Sequence, residues 1–204
     1  MDVKSQIKEI KLSFRQMMDG VVSKSMRDKG VAYKLNWGAT IPRLKEMAER
    51  LGKDYDLAIA LWKENVRECK ILATMVMPAD RMLPEVVDIW MEQTDTQELV
   101  EQAAFNLYQY LPCAPEKAYT WMASDKELYQ LCGFHILSRL FMNGQEPNER
   151  GINEFIDQAL AALQGDSIPV RKAALSCLQR FASLGLVYER LTKSALKTIN
   201  LDFL

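Results

Sequence analysis

Residues 165–185, GDSIPVRKAALSCLQRFASLG, carry the clearest copy of a repeated helical pattern and decide the fold. An aspartate, a Val-Arg pair, two adjacent alanines and two leucines follow one another in it, at Asp166, Val170, Arg171, Ala173, Ala174, Leu175 and Leu178. Paired small residues let one helix lie close against another. Degenerate copies, with a valine or tyrosine three residues before a small residue, begin at Val66, Val100 and Tyr129.

The spacing of these copies is the one expected of helical pairs. They begin at residues 66, 100, 129 and 170 and are therefore 34, 29 and 41 residues apart, which suits a two-helix unit. The residue after the first small residue is also small in three copies, as Ala104, Gly133 and Ala174, but it is Lys70 in the first copy. The pattern resembles the second helix of a HEAT repeat. We predict an all-α, HEAT-like α-solenoid of antiparallel helix pairs, whose second helices line a concave face suited to a long ligand.

Glycine and proline divide the rest of the sequence into helices, and no run alternates as a strand would. We predict a single HEAT-like repeat domain over residues 1–204, with N-terminal helices at 1–30, a repeat core at 31–185 and a closing helix at 186–204. A short basic helix over residues 22–29 is expected to end at Gly30.

Residues 94–111, TDTQELVEQAAFNLYQYL, are predicted to form one helix at the centre of the stack. Asp95 followed by Glu98 is a capping-box arrangement for its first turn, and Ser124 with Glu127 is a second such arrangement further along the chain.

The composition gives no general argument for nucleic acid, because 26 Lys and Arg against 27 Asp and Glu leave a net charge of −1. Any basic binding face must be local. The four cysteines (Cys69, Cys113, Cys132 and Cys177) occur singly, and His135 is the only histidine, so we expect buried thiols, no metal and no cofactor. Without a signal peptide or an apolar run of membrane-spanning length, the chain is predicted to be soluble and cytoplasmic.

Two groups of basic side chains are candidates for contacts with a DNA backbone across the predicted concave surface. One group is Arg67 and Lys70, and the other is Arg171, Lys172 and Arg180. Ordinary solvated helix faces explain the same spacing. Glutamates at positions 64, 68, 98 and 101 weaken the picture of a uniformly positive groove.

Other chemistry-bearing residues favour structural roles. His135 lies within the apolar segment GFHILSRLF, which favours a packed or locally bonded histidine over an acid or base. Trp62, Trp90 and Trp121 have apolar neighbours, so core roles are favoured over stacking on a ligand. The sequence shows neither a phosphate-binding glycine loop nor the residues of a nucleophile triad.

Several segments, taken in order, resemble the AlkD-like DNA alkylation repair family, whose all-helical HEAT-like members include alkylpurine DNA glycosylases. The resemblance covers about residues 38–185. It rests on WGATIPRLKEMAERLGKD at residues 37–54, LAIALW at 57–62, RECKILAT at 67–74, the aspartate-led helix at 95–108 and the Gly133–Phe134 pair.

The resemblance implies cleavage of the bond between deoxyribose and a cationic alkylated base, without extrusion of that base into a pocket. In active members an aspartate steadies the developing oxocarbenium charge, two tryptophans pack on the sugar and backbone, and arginines hold phosphates. The family motif DSWDxxDQ matches DTQELVEQ here, so the catalytic aspartate falls on Glu101 and the first tryptophan on Gln97.

The remaining site positions of the family carry different chemistry in this chain. The family's first arginine falls on Leu131, its second tryptophan on Ser176 and the nearby arginine on Gln179. Arg180 is adjacent, but one residue along a helix rotates a side chain by roughly 100°. Only Glu101 keeps a related group, a carboxylate one methylene longer than aspartate.

Three hypotheses for function follow. The leading one is a non-catalytic or weakly catalytic member of the family that binds duplex or damaged DNA. The second is an active alkylpurine DNA glycosylase that uses Glu101. The third is a scaffold whose concave face holds a protein partner, which the near-neutral net charge favours.

Overall fold

The computed structural model describes residues 2–28 and 33–201, which form twelve α-helices and two short 3-10 turns. The helices are α1 (Val3–Gln16), α2 (Gly20–Asp28), α3 (Ile41–Leu51), α4 (Tyr55–Trp62), α5 (Arg67–Val76), α6 (Pro84–Glu92), α7 (Gln97–Asn106), α8 (Ala114–Met122), α9 (Glu127–Met142), α10 (Glu149–Gln164), α11 (Ile168–Ala182) and α12 (Leu186–Thr198). An isolated bridge joins Leu35 to Val66, and the described part of the chain contains no strand. The all-α prediction is confirmed.

The chain divides into two compact units, residues 1–107 and 108–204. In the first unit α5 is the central helix, because it packs against α3, α4 and α7, while α1 packs against α4. Every residue from 67 to 77 is buried except Lys70, which is half-buried. Residues 57–62 of α4 supply the facing apolar surface through Leu57, Ala58 and Leu61.

In the second unit α9 packs against α8 and α11, and α11 also packs against α10 and α12. Three phenylalanine rings, from Phe141, Phe155 and Phe181, form its aromatic core with centroid separations of 5.1, 5.4 and 5.0 Å. Gly133 sets the approach of α8 to α9, since a Cβ there would lie 2.5 Å from the Met122 nitrogen and 2.6 Å from the Ala118 oxygen.

The small residues of the repeated pattern lie on buried helix faces. Cys69, Ala103, Ala104, Cys132, Gly133, Ala173 and Ala174 are all buried. In each unit the helices that carry them contact one another, α5 with α7 and α9 with α11. Small side chains at these contacts allow close helix packing, as the repeat pattern predicted.

Two helix starts differ from the sequence-based prediction. α7 is capped by Thr96 and not by Asp95. The Thr96 hydroxyl accepts the N–H of Leu99, the third residue of the helix, at 3.2 Å, as an N-cap side chain does. α9 begins at Glu127 without a side-chain cap, and the Ser124 hydroxyl accepts the N–H of Lys126 instead.

The single helix predicted over residues 94–111 is wrong. α7 ends at Asn106, the backbone leaves the helical region at Leu107 (φ −137°, ψ −60°), and a separate 3-10 turn spans Tyr108–Tyr110. The basic helix predicted over residues 22–29 begins two residues earlier, at Gly20, and its predicted end at Lys29 and Gly30 lies outside the described residues.

Candidate functional site

The residues predicted to form a site fall into two groups, one in each compact unit. Glu101, Gln97, Arg67 and Lys70 belong to the first unit, on α7 and α5. Leu131, Arg171, Lys172, Ser176, Gln179 and Arg180 belong to the second, on α9 and α11.

Gln97 and Glu101 lie one turn apart on α7 and are joined by a hydrogen bond. The Gln97 amide Nε2 donates to Glu101 Oε1 at 2.9 Å. Gln97 is exposed and Glu101 is half-buried. Both are surface groups, and the amide offers hydrogen bonds where a tryptophan would offer an apolar face for a sugar.

A buried charge network lies at the start of α7. Arg67 donates from Nε to Glu98 Oε2 at 2.8 Å, from Nη2 to Glu98 Oε1 at 2.5 Å and from Nη1 to the Ala39 carbonyl at 2.8 Å. Nη1 also contacts Glu68 Oε1 at 3.2 Å, and the same oxygen accepts the N–H groups of Trp37 and Ala39. This network ties α5, residues 37–39 and α7 together.

The environment of Arg67 excludes the phosphate contact expected from the sequence. Its side chain is 1% exposed, and that of Glu68 is fully buried. Burial opposes the charge, but the hydrogen bonds and charges of Glu98 and Glu68 outweigh it and raise the pKa of Arg67 above its ordinary value. Because the side chain is buried and its Nε, Nη1 and Nη2 atoms each donate to a protein group, Arg67 is removed from the candidate DNA contacts.

Lys70 is half-buried and engaged with an aromatic stack. Its Nζ lies 4.7 Å from the Trp62 ring centroid and donates to the Gln93 carbonyl at 3.1 Å. Burial lowers the pKa of Lys70, against the opposing effect of the Asp95 charge. The Trp62 ring stacks on Trp90 with centroids 4.0 Å apart.

The tryptophans have the core positions that the sequence predicted. Trp62, Trp90 and Trp121 are 3%, 2% and 4% exposed, so none presents a face on which a nucleotide could stack. Trp62 satisfies its indole N–H by donating to Gln93 Oε1 at 2.8 Å.

Acidic side chains dominate the segment that contains Glu101. Residues 80–101 hold seven acids (Asp80, Glu85, Asp88, Glu92, Asp95, Glu98 and Glu101) and one base, Arg81, for a net charge of 1 − 7 = −6. Glu98 is paired with Arg67, but Asp80, Glu85, Glu92 and Asp95 are exposed. Such a surface repels phosphates.

Leu131 is a core residue of the second unit. It is 1% exposed on α9, one residue before Cys132, whose thiol has its pKa raised by burial. A side chain at this position packs inside the unit and does not reach solvent.

Helix α11 of the second unit presents a basic surface. Arg171, Lys172, Ser176, Gln179 and Arg180 are all exposed, and the helix contains no acid. The surrounding residues 167–201 hold six bases (Arg171, Lys172, Arg180, Arg190, Lys193 and Lys197) and one acid, Glu189, for a net charge of 6 − 1 = +5. A cationic helix of this kind suits a polyanion such as DNA.

Sequence reasoning missed one feature of α11. It treated Leu175 and Leu178 alike as members of the repeat, but Leu178 is fully buried and Leu175 is 42% exposed. The position of Leu175 on the side of the helix opposite to the paired alanines is the signal that distinguishes the two.

The remaining candidates from the sequence are His135 and possible metal ligands. His135 is half-buried on α9, and among the described residues no cluster of three His, Cys, Asp or Glu side chains could hold a metal ion. Within the same ranges, every helix is too short or too polar to cross a membrane.

The comparisons with known proteins agree with the fold. The family model described as DNA alkylation repair enzyme matches residues 10–178, which is most of the chain. The chain belongs to this family. No curated protein matches the sequence of this family member.

One solved structure is similar to almost the whole length of this DNA alkylation repair family member. It is described as "A new family of proteins related to the HEAT-like repeat DNA glycosylases with affinity for branched DNA structures". The TM-score is 0.83 at 16% identity, and the match covers 99% of this chain and 85% of that one. At that identity the likeness shows the fold alone, and it confirms the predicted HEAT-like architecture.

Proposed function

We propose that this chain binds branched DNA through the exposed basic face of α11 and has little or no glycosylase activity. The observation that carries the proposal is that α11 presents Arg171, Lys172 and Arg180 to solvent and contains no acid. The solved relative with affinity for branched DNA supports the choice of ligand.

Binding follows from ordinary phosphate electrostatics. Each cation that neutralises a phosphate releases a condensed counterion, so affinity falls as salt rises. The adjacent helix α12 carries three further bases, Arg190, Lys193 and Lys197, of which Lys193 pairs with Glu189. Contacts of this kind position DNA without reading its sequence.

Glycosidic cleavage has weaker support. A carboxylate stabilises an oxocarbenium ion only if the sugar lies against it, and Glu101 is engaged by Gln97 within a segment of net charge −6 (one base and seven acids over residues 80–101). Neither Gln97 nor Ser176 supplies an aromatic face. Loss of such groups weakens interactions that form in the transition state, so the rate falls even where DNA still binds.

Two assays on the full chain test the proposal. Fluorescence anisotropy at low ionic strength should show tighter binding to a four-way junction than to a duplex of the same sequences. A base-release assay on a duplex containing N-alkylated purines, at high protein concentration, should show no release above buffer.

Each assay has an outcome that rejects part of the proposal. Absence of salt-sensitive binding to either DNA would remove the DNA function and leave a protein partner as the alternative. Base release that disappears in Glu101→Gln, while DNA binding persists, would establish the active glycosylase instead.

A cytoplasmic location belongs to the same proposal, because buried thiols such as Cys69, Cys132 and Cys177 are typical of a reducing compartment.

A further inference from the structure

Two exposed aliphatic side chains form a line along the basic helix α11. Ile168 is 56% exposed and Leu175 is 42% exposed. They are seven residues apart, so they lie two turns from each other, about 10 Å along the axis and within roughly 20° of the same direction. Gln179 continues this line and is also exposed.

Cations flank the aliphatic line on both sides. At about 100° per residue, Arg171 lies roughly 60° to one side of Ile168 and Lys172 roughly 40° to the other. The opposite face of α11 is buried through Val170, Ala174, Cys177 and Phe181. The exposed arc therefore presents an apolar ridge between positive charges.

This combination fits DNA with accessible base faces better than a continuous duplex. In a duplex the base faces are hidden by stacking, and a basic helix meets phosphates and groove edges. At a branch point some bases are unstacked, and an aliphatic side chain can cover the exposed face, as apolar wedges do at kinked base steps. Single exposed leucines are common on protein surfaces, but two aligned between cations are complementary to such a site in both charge and polarity.

We propose that Ile168 and Leu175 contact unstacked bases at a DNA branch point, while Arg171 and Lys172 hold the flanking phosphates. The proposal rests on the proposed DNA-binding function and adds the residues that give preference for a branch. Ile168 and Leu175 are specificity-determining residues in this account, and the cations supply the general affinity.

The test compares a four-way junction with a duplex of the same sequences, using the full chain and the double variant Ile168→Gln/Leu175→Gln. Glutamine keeps the side-chain length and suits a helix surface. The control is Leu186→Gln/Val187→Gln on α12, where the side chains are 72% and 66% exposed. A fluorescent purine analogue at the branch point reports whether its stacking changes when protein binds.

The α11 variant should lose about tenfold of the preference for the junction over the duplex, because two apolar side chains no longer cover the unstacked bases. Its duplex affinity should change by less than about twofold, because the phosphate contacts remain. The purine signal should change with wild type and the α12 control but not with the α11 variant.

The outcomes separate the inference from the function on which it rests. If wild type binds neither DNA, the proposed function fails and this inference fails with it. If wild type prefers the junction and the α11 variant keeps that preference, the inference is wrong while the DNA function stands. Equal losses of preference in the α11 variant and the α12 control would also overturn the assignment to Ile168 and Leu175.

Discussion

At the residue scale, the environment of Arg67 shows where a sequence pattern stops being informative. The spacing marked Arg67 as a helix-surface cation, and its adjacent acid, Glu68, was visible in the sequence. Its main partner, Glu98, is 31 residues away, and only the packing of α5 against α7 brings the two together. Long-range pairs of this kind cannot be read from one sequence, so a residue expected to bind phosphate is a buried structural cation.

Replacing Arg67 should strongly destabilise the first unit. Arg67→Met leaves the fully buried Glu68 without its cation and should lower the free energy of unfolding by about 3–5 kcal/mol. Arg67→Lys keeps the charge but not the forked geometry, and should give a smaller loss. Urea denaturation measures both variants, with Arg43→Met at an exposed position of α3 as the control. Equal effects of Arg67→Met and Arg43→Met would contradict the network.

The Tyr119 hydroxyl should contribute to folding stability in a way that decreases at alkaline pH. Its hydroxyl donates to the Gly151 carbonyl at 3.1 Å, and burial raises its pKa from 10.0 to about 12. Because the folded state holds the proton more tightly, the contribution of the hydroxyl is complete below pH 10 and is lost as pH rises towards 12.

The measurement is the stability difference between wild type and Tyr119→Phe in denaturant at increasing pH. At neutral pH wild type should be more stable by about 1 kcal/mol, the usual value of one hydrogen bond. That advantage should shrink in alkaline solution. Tyr110→Phe, at a tyrosine that is 61% exposed, controls for effects of alkali on the rest of the protein. A difference that stays constant with pH would contradict the assignment.

At the element scale, helix identity was predicted from sequence far better than helix ends. The prolines at positions 42 and 84 lie in the first turns of α3 and α6, as expected from the fixed φ of proline. The end of α7 was missed because residues 107–111 continue a helical apolar pattern, whereas the backbone turns away at Leu107. A side-chain pattern constrains which face is buried, but it does not show where tertiary packing ends a helix.

Gly133 provides the test of close packing between elements. Gly133→Ala should lower the free energy of unfolding by about 1–3 kcal/mol, because the new methyl group meets the backbone of α8 at Met122 and Ala118. Gly20→Ala is the matched control, since a Cβ there has nothing within 4 Å. Thermal or urea unfolding compares the two. A Gly133→Ala variant as stable as Gly20→Ala would show that α8 and α9 are further apart than described.

At the scale of the whole molecule, a net charge of −1 conceals strong local segregation. Residues 80–101 carry −6 (one base and seven acids) and residues 167–201 carry +5 (six bases and one acid). The net charge of the whole chain therefore does not distinguish a DNA ligand from a protein partner. The family and the HEAT-like fold could be recognised from ordered motifs, but the exposed basic and apolar face of α11 required knowledge of which side of the helix is buried.

The salt dependence of junction binding shows whether α11 holds the DNA phosphates. It compares wild type with Arg171→Gln/Lys172→Gln/Arg180→Gln on α11 and with Lys4→Gln/Lys8→Gln/Lys24→Gln, a control that removes the same charge from exposed positions of α1 and α2. If α11 holds the phosphates, the α11 variant should bind weakly, and its slope of log affinity against log salt should be smaller by about 2–3, since each lost contact removes roughly 0.9. The control should keep the wild-type slope. A slope unchanged in the α11 variant, or reduced equally in the control, would contradict DNA binding through α11.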